Sequence, residues 1–302
     1  MPISLATRFL EPKVLRAIAS IELKARLLVE GMYASRHRCP FYGYSVEFVD
    51  HREYSRGDEP RSIDWKMVGR TERYFVKRFE MESNMNVVSL LDVSASMGYR
   101  SAETERLTKM EYGCYLAASL AYLVRHQQDS SGLVAFDSGI REFLPPRQGQ
   151  RHMFSILSRL DAIKAGGETD ISRVLKLVSQ RLRRRGIVVL ISDCYGDSDQ
   201  VIDGIRHLRA RGQEVILFHV MDHDEIVFPF NALTAFRDLE SNTQIMCDPL
   251  RQQSLYQKRF GEFQESIKAG CATSGADYRF IDTLEPIEIV LRDFLLFRQR
   301  RR

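Results

Sequence analysis

Two apolar runs that each end on an aspartate constrain this chain more than any other feature. In the first, VVSLLDVSASM over residues 87–97, Leu90 and Leu91 give way to Asp92, Ser94 and Ser96. The second, IVVLIS over residues 187–192, is followed at once by Asp193. Short runs so free of charge suit parallel strands buried on both faces. Between them lie helical patterns, the clearest being Leu107, Met110, Cys114, Leu116, Leu120 and Leu123 within residues 103–126, at three- and four-residue steps. Strand–helix alternation from Asn86 onward predicts an α/β fold with a doubly wound, mostly parallel sheet. Binding groups in such a sheet collect just past the carboxyl ends of the strands, which is where Asp92 and Asp193 both fall.

The remaining elements follow the same alternation. GLVAF over residues 132–136 reads as a buried strand, Asp137-Ser138-Gly139 as a turn, and residues 140–144 as a hairpin return ended by Pro145 and Pro146. A helix carrying Met153, Ile156, Leu157 and Leu160 stops before Gly166-Gly167-Glu168-Thr169-Asp170. Two glycines there permit positive φ and close backbone approach. Asp170 reads as the N-cap of a helix with Ile171, Val174, Leu175, Val178 and Leu182 inward. A helix over 198–211 and a strand over 214–220 come next. Residues 225–230 and 232–247, separated by Pro229, read as extended segments of an inserted β-hairpin. A long helix over 250–271, a strand over 277–282 and a helix over 286–298 complete the pattern. Upstream, residues 12–30 read as a helix between Pro12 and Gly31, and residues 73–82 as a strand. The chain thus divides into a smaller N-terminal α+β segment, 1–82, and the α/β domain, 83–302.

Asp92, Ser94, Ser96, Thr169 and Asp193 all lie in loops that this fold gathers at one edge. Their oxygens form a hard donor set suited to a divalent cation, Mg²⁺ first, with Mn²⁺ or Ca²⁺ as alternatives. Glu168 adds an acid without an assigned role. Taken alone, Asp-x-Ser-x-Ser also fits a strand followed by an Asx-type turn.

Residues 36–70 are turn-rich, with charges of both signs among aromatics. Arg52, Asp58, Arg61 and Asp64 suit a lattice of Arg–carboxylate pairs around Trp65, the only tryptophan, or a candidate partner surface. The run Arg52-x-Tyr54-x-x-Gly57-Asp58-x-x-Arg61-x-Ile63-Asp64-Trp65, with Arg70 following, resembles the signature of the domain-of-unknown-function-58 family. In that family it precedes a von Willebrand factor A-like domain, and Asp-x-Ser-x-Ser resembles the first motif of that domain's metal-ion-dependent adhesion site (MIDAS). The resemblance implies Ser94, Ser96 and Thr169 as inner-sphere metal ligands, with Asp92 and Asp193 acting largely through water. It implies metal-bridged protein recognition without catalysis, and an adaptor or co-chaperone role beside a MoxR-type AAA+ ATPase and its client proteins.

Other classes are less well supported. The net charge of +4 is too small to imply nucleic acid or a membrane surface. The basic C-terminal tail, Arg298 with Arg300, Arg301 and Arg302, leaves peripheral membrane contact open. No apolar stretch approaches the roughly 18 residues of a membrane span, and the N-terminus lacks a signal-peptide core. Five widely spaced cysteines read as reduced thiols of a cytoplasmic protein, Cys194 among them as a packing residue. A magnesium-dependent phosphatase of the haloacid dehalogenase type would also begin with an aspartate after a strand, but its second acid would stand where this chain has Ser94. Neither G-x-S-x-G nor G-x-x-x-x-G-K-[ST] occurs. A basic nucleic-acid-binding protein, the remaining alternative, would show steep salt dependence.

Overall fold

The register between two neighbouring strands decides where the aspartates come to lie. The computed structural model describes residues 45–55, 63–82, 85–101, 106–126 and 128–292. These fall into two units, one within Pro40–Asn84 and one from Met85 onward. The helix read over 12–30, Asp58, Arg61, the start of the helix read from 103, and the tail after residue 292 lie outside the described residues.

In the first unit, β1 (Ser45–Glu53) pairs antiparallel with β2 (Phe75–Glu82), with an irregularity between Phe48 and Asp50. The short helix α1 (Trp65–Thr71) stands between them, capped by Asp64, whose Oδ1 accepts the Lys66 N–H at 3.0 Å. Asp64 N–H donates to the Phe75 carbonyl at 2.8 Å, and Ile63 bridges Val76. The Trp65 ring meets Tyr74 edge-on at 6.5 Å and is 64% exposed.

The second unit is a six-stranded sheet in the order β10-β7-β6-β3-β4-β5. Its strands are β3 (Asn86–Asp92), β4 (Ser130–Phe136), β5 (Ile140–Arg147), β6 (Gly186–Ser192), β7 (Glu214–Met221) and β10 (Asp277–Asp282). All are parallel except β5, which runs antiparallel to β4 at the edge. This is the α/β class with a doubly wound, mostly parallel sheet expected of the sequence. Strand β5 continues through Pro145 and Pro146 instead of stopping before them. An edge strand tolerates proline, and the pairing with β4 shifts register there.

Period-two alternation along the central strands serves both faces. Val87, Leu91, Val189 and Ile191 pack under α2 (Lys109–His126), α3 (Gln150–Ala162) and the helical residues 287–291. Val88, Leu90, Val188 and Leu190 pack under α4 (Ile171–Arg181), α5 (Ser198–Ala210) and α7 (Pro249–Thr273). Within the described residues, α2 begins at Lys109.

The insertion between β7 and α7 differs from the sequence reading. Residues read as extended from 225 instead form the helix α6 (His223–Val227), where Asp222 and Glu225 make a capping box. That Asp-x-x-Glu signal lay in the sequence. The hairpin itself is shorter, β8 (Thr234–Arg237) paired with β9 (Gln244–Cys247). No described helix is long and apolar enough to cross a membrane. The described cysteines Cys114, Cys194, Cys247 and Cys271 are free thiols, and Cys194 is buried in the core.

Gly186 opens β6 opposite Asn86, and a Cβ at Gly186 would be driven into the Asn86 backbone carbonyl. Backbone cannot give way as a side chain can, so Gly186→Ala should lower the urea-unfolding free energy by about 1–3 kcal/mol. Gly139→Ala, with open space around it, should change stability much less.

Candidate metal centre

Because Leu91 pairs with Ile191 across β3 and β6, Asp92 comes level with Ser192. The Ser192 hydroxyl donates to Asp92 Oδ2 at 2.6 Å, and the Ser94 N–H donates to Asp92 Oδ1 at 2.9 Å. Asp92, Ser94, Ser192 and Asp193 are buried. These strands flank the point where the chain's connections diverge to opposite sides of the sheet, the position at which doubly wound folds bind ligands. Beyond β3, the Ser94 and Ser96 hydroxyl oxygens lie 3.0 Å apart, with Ser96 opening a short 3₁₀ turn.

The Thr169 loop is tied to this one through the backbone. Ala95 N–H donates to the Gly167 carbonyl and Gly166 N–H to the Val93 carbonyl, both at 2.9 Å. Gly167 has φ +87°, and a Cβ there would come 2.7 Å from Asp137 Oδ2. Arg141 bonds both Asp137 and the Gly166 carbonyl, so the β4–β5 turn braces the loop. Asp170 caps α4 by accepting the Arg173 N–H at 3.0 Å. Thr169 donates its N–H and its hydroxyl to the two carboxylate oxygens of Glu240, each at 3.2 Å.

Asp193, at the end of β6, is engaged on both oxygens. Oδ2 lies 2.8 Å from Lys109 Nζ, and Oδ1 accepts the Tyr195 N–H at 3.2 Å. Lys109 is fully buried, lies 2.9 Å from Glu225 Oε1, and sits 4.7 Å from the Tyr195 ring centroid. The next residue, Cys194, has φ +54°, a left-handed conformation that costs a non-glycine residue energy. Two contacts hold this bend: Cys194 N–H donates to Ser192 Oγ, and His219 Nε2–H donates to the Asp193 carbonyl, both at 2.9 Å. A carbonyl only accepts, so His219 Nδ1 is the acceptor for the Tyr278 hydroxyl at 2.9 Å.

Electrostatics at this edge are dominated by burial. Desolvation, then the charge of Asp193, pushes the Asp92 carboxyl up to about 7, against the hydrogen bonds from Ser192 and Ser94. Burial likewise raises Glu225. Burial opposes the charge on Lys109, but Asp193 and Glu225 outweigh it and raise its pKa. One lysine therefore faces more buried carboxylate than it can neutralise. Among the described residues, no three His, Cys, Asp or Glu side chains form a metal-holding group, so any donor set here is hydroxyl-dominated. Ser94, Ser96 and Thr169 beside an excess of buried carboxylate fit a hard divalent cation.

Residues 50–265 match the family described as "Protein of unknown function DUF58". The chain belongs to the DUF58 family. A relative, "Uncharacterized protein Rv1480" of Mycobacterium tuberculosis, is 25% identical over 236 residues, covering 76% of this chain and 72% of its own. Two solved structures are similar at low identity. An aerotolerance-related membrane protein from Bacteroides fragilis is 17% identical with a TM-score of 0.47, covering 72% of this chain and all of its own. The SpRpn10 VWA domain is 10% identical with a TM-score of 0.41, covering 68% of this chain and 93% of its own. The fold of this DUF58 protein therefore rests on its own strand order.

Lys109, Ser192, His219, Glu225 and Glu240 escaped the sequence reading. Lys109 sits at a helix start among apolar positions, and only the capping box hinted at Glu225. Asp64 and Trp65 are placed in the first unit, and Arg52 lies in β1.

Replacing Lys109 by Met leaves Asp193 and Glu225 without their buried cation and should cost about 3–5 kcal/mol in urea unfolding. Glu225, already raised, then rises further. The folded variant takes up a proton that the unfolded chain does not, so its deficit against the parent should shrink as pH falls from 7 to 5.

His219 titrates in the opposite sense. Burial depresses it from 6.5 to about 4, so its contribution to stability is intact above pH 6.5 and is lost as pH falls toward 4. Between pH 7.5 and pH 4 the stability advantage of the parent over His219→Gln should narrow by on the order of 3 kcal/mol. Parallel curves would mean that the fold leaves the His219 pKa where it stands in the unfolded chain.

Proposed function

We propose that this DUF58 protein is a non-enzymatic, metal-dependent protein-interaction module. One observation carries the reading: the Ser94 and Ser96 hydroxyls meet at the divergence point of the sheet beside buried Asp92 and Asp193, and the loop leading to Thr169 is tied to theirs through the backbone. Ser94, Ser96 and Thr169 would hold Mg²⁺ directly, with Asp92 and Asp193 as charge partners acting through water. Asp193 suits that role because its oxygens are already engaged by Lys109 and Tyr195. Bound there, the ion would supply an electrophilic coordination position that an acidic side chain of another protein can fill.

The same geometry supports the non-enzymatic side of this reading. Ser94 and Ser96 bond to each other, and the buried histidine, His219, is spent on the Asp193 carbonyl and Tyr278. The adaptor role beside a MoxR-type AAA+ ATPase rests on the family resemblance, and its setting in the cytoplasm on the widely spaced cysteines. The exposed Trp65, with Arg52, Asp58, Arg61 and Asp64 in the same stretch, is a second candidate contact surface.

Isothermal titration of Mg²⁺ and Mn²⁺ into the parent should show saturable binding that Ser96→Ala and Thr169→Ala each abolish without unfolding the protein. A purified MoxR-type ATPase should be retained by the immobilised parent in magnesium and released by a chelator. A folded parent that takes up neither ion, alone or with the ATPase present, overturns the reading.

A further inference from the structure

The β8–β9 hairpin is an insertion between β7 and α7, yet it touches the candidate metal centre at one of its proposed ligands. Its six-residue turn, residues 238–243, is braced from within. Asp238 N–H donates to the Thr243 carbonyl at 2.8 Å, and Asp238 Oδ1 accepts the Glu240 N–H at 2.9 Å. Ser241 donates to Asp238, and Arg237 to Asn242. The Glu240 side chain takes no part in this bracing. Instead it crosses to Thr169 and accepts from both its N–H and its hydroxyl, each at 3.2 Å.

Two features distinguish this contact from an ordinary surface hydrogen bond. Among the described residues, no lysine, arginine or histidine pairs with Glu240, although ion pairs occur across the rest of the domain. Its carboxylate brings a further acid to an edge where Asp92 and Asp193 are already buried together and Lys109 bonds only Asp193 of the two. Moreover, the hairpin is held to the domain by an aromatic cluster. Phe236 stacks on Phe228 at 5.5 Å and meets Phe230 at 5.0 Å, and Phe228 stacks on Tyr256 of α7 at 4.5 Å. Ring packing of this kind fixes the hairpin's position without using the backbone hydrogen bonds of the main sheet. Glu240 can therefore leave Thr169 without unpairing a strand of that sheet.

We propose that Glu240 is the chain's own acid for the metal centre, placed where a partner's carboxylate would otherwise enter. The inference rests on the metal reading above. A carboxylate that accepts the Thr169 hydroxyl proton leaves that oxygen's lone pairs available and enriches them. Glu240 thus has two opposed effects. It strengthens the hold on the cation by adding charge, and it competes with an incoming acid. The unpartnered protein is self-capped, and a partner must displace Glu240 to bind.

The test is titration of Mn²⁺ into the parent, Glu240→Gln and Thr169→Ala, read by water-proton relaxation and repeated with acetate as the carboxylate probe. Glu240→Gln keeps side-chain size and can still accept from the Thr169 N–H, while the Thr169 hydroxyl must turn to accept from the new amide; the contact is exposed enough that folding should be unaffected, which circular dichroism checks. It should bind Mn²⁺ about tenfold more weakly than the parent, show a larger relaxation enhancement per bound ion, and lose that enhancement at lower acetate concentration. Mn²⁺ affinity and acetate response identical to the parent, with binding still abolished in Thr169→Ala, would overturn this inference and leave the metal reading standing. Tighter Mn²⁺ binding by Glu240→Gln would also overturn it. So would a parent that fails to bind Mn²⁺, because a resident acid makes a partner unnecessary for holding the ion; the metal reading is then decided by the titration with the ATPase present.

Discussion

Burying like charges together is the constraint to which the rest of this domain is fitted. Asp92 and Asp193 stand at the ends of adjacent parallel strands, out of water and within each other's field. Such a pair is costly in a low-dielectric interior unless hydrogen bonds and opposite charge answer it. The fold answers with local donors first: the Ser94 amide and Ser192 hydroxyl on Asp92, and the Tyr195 amide on Asp193. It then brings Lys109 from the start of α2 into full burial, shared between Asp193 and Glu225. What remains is negative, and it lies beside the hydroxyls of Ser94 and Ser96.

The surrounding structure holds these groups where packing alone would not. The left-handed bend at Cys194 is fixed by Ser192 below and by the His219–Tyr278 pair on the far side. Gly167 gives the Thr169 loop its positive φ and leaves room for Asp137 and Arg141. The inserted hairpin adds a carboxylate from a part of the chain that contributes nothing to the sheet. A rigid sheet edge supplies the proposed cation site, and a separately attached hairpin supplies the acid that shields it. The two can vary independently, because one depends on strand register and the other on an aromatic cluster.

Much of this arrangement was legible along the chain. The apolar runs ending at Asp92 and Asp193, the Gly-Gly-Glu-Thr-Asp loop and the helical periodicities specify a doubly wound sheet with oxygen donors at one edge. Asp170 as a cap and Cys194 as a core residue followed from local chemistry. The insertion is legible too, but its first segment, which reads as extended up to Pro229, is turned into a helix at residues 223–227 by the Asp222–Glu225 capping box. The strand after residue 140 was read as ending at its prolines because edge position, which makes them tolerable, is a property of the whole sheet.

By itself, then, the sequence determined the elements, their order, and the oxygen-rich residues that end the strands, because period, capping and strand burial are written in neighbouring residues. Only the tertiary structure decided which groups answer the buried charge. Lys109 lies 84 residues from Asp193, Ser192 lies 100 from Asp92, and Glu240 lies 71 from Thr169. No local pattern announces a lysine that will be desolvated or a hairpin acid that will reach a loop. Those pairings exist because strand register and helix packing bring distant side chains within a hydrogen bond of one another, where a low dielectric makes each contact matter.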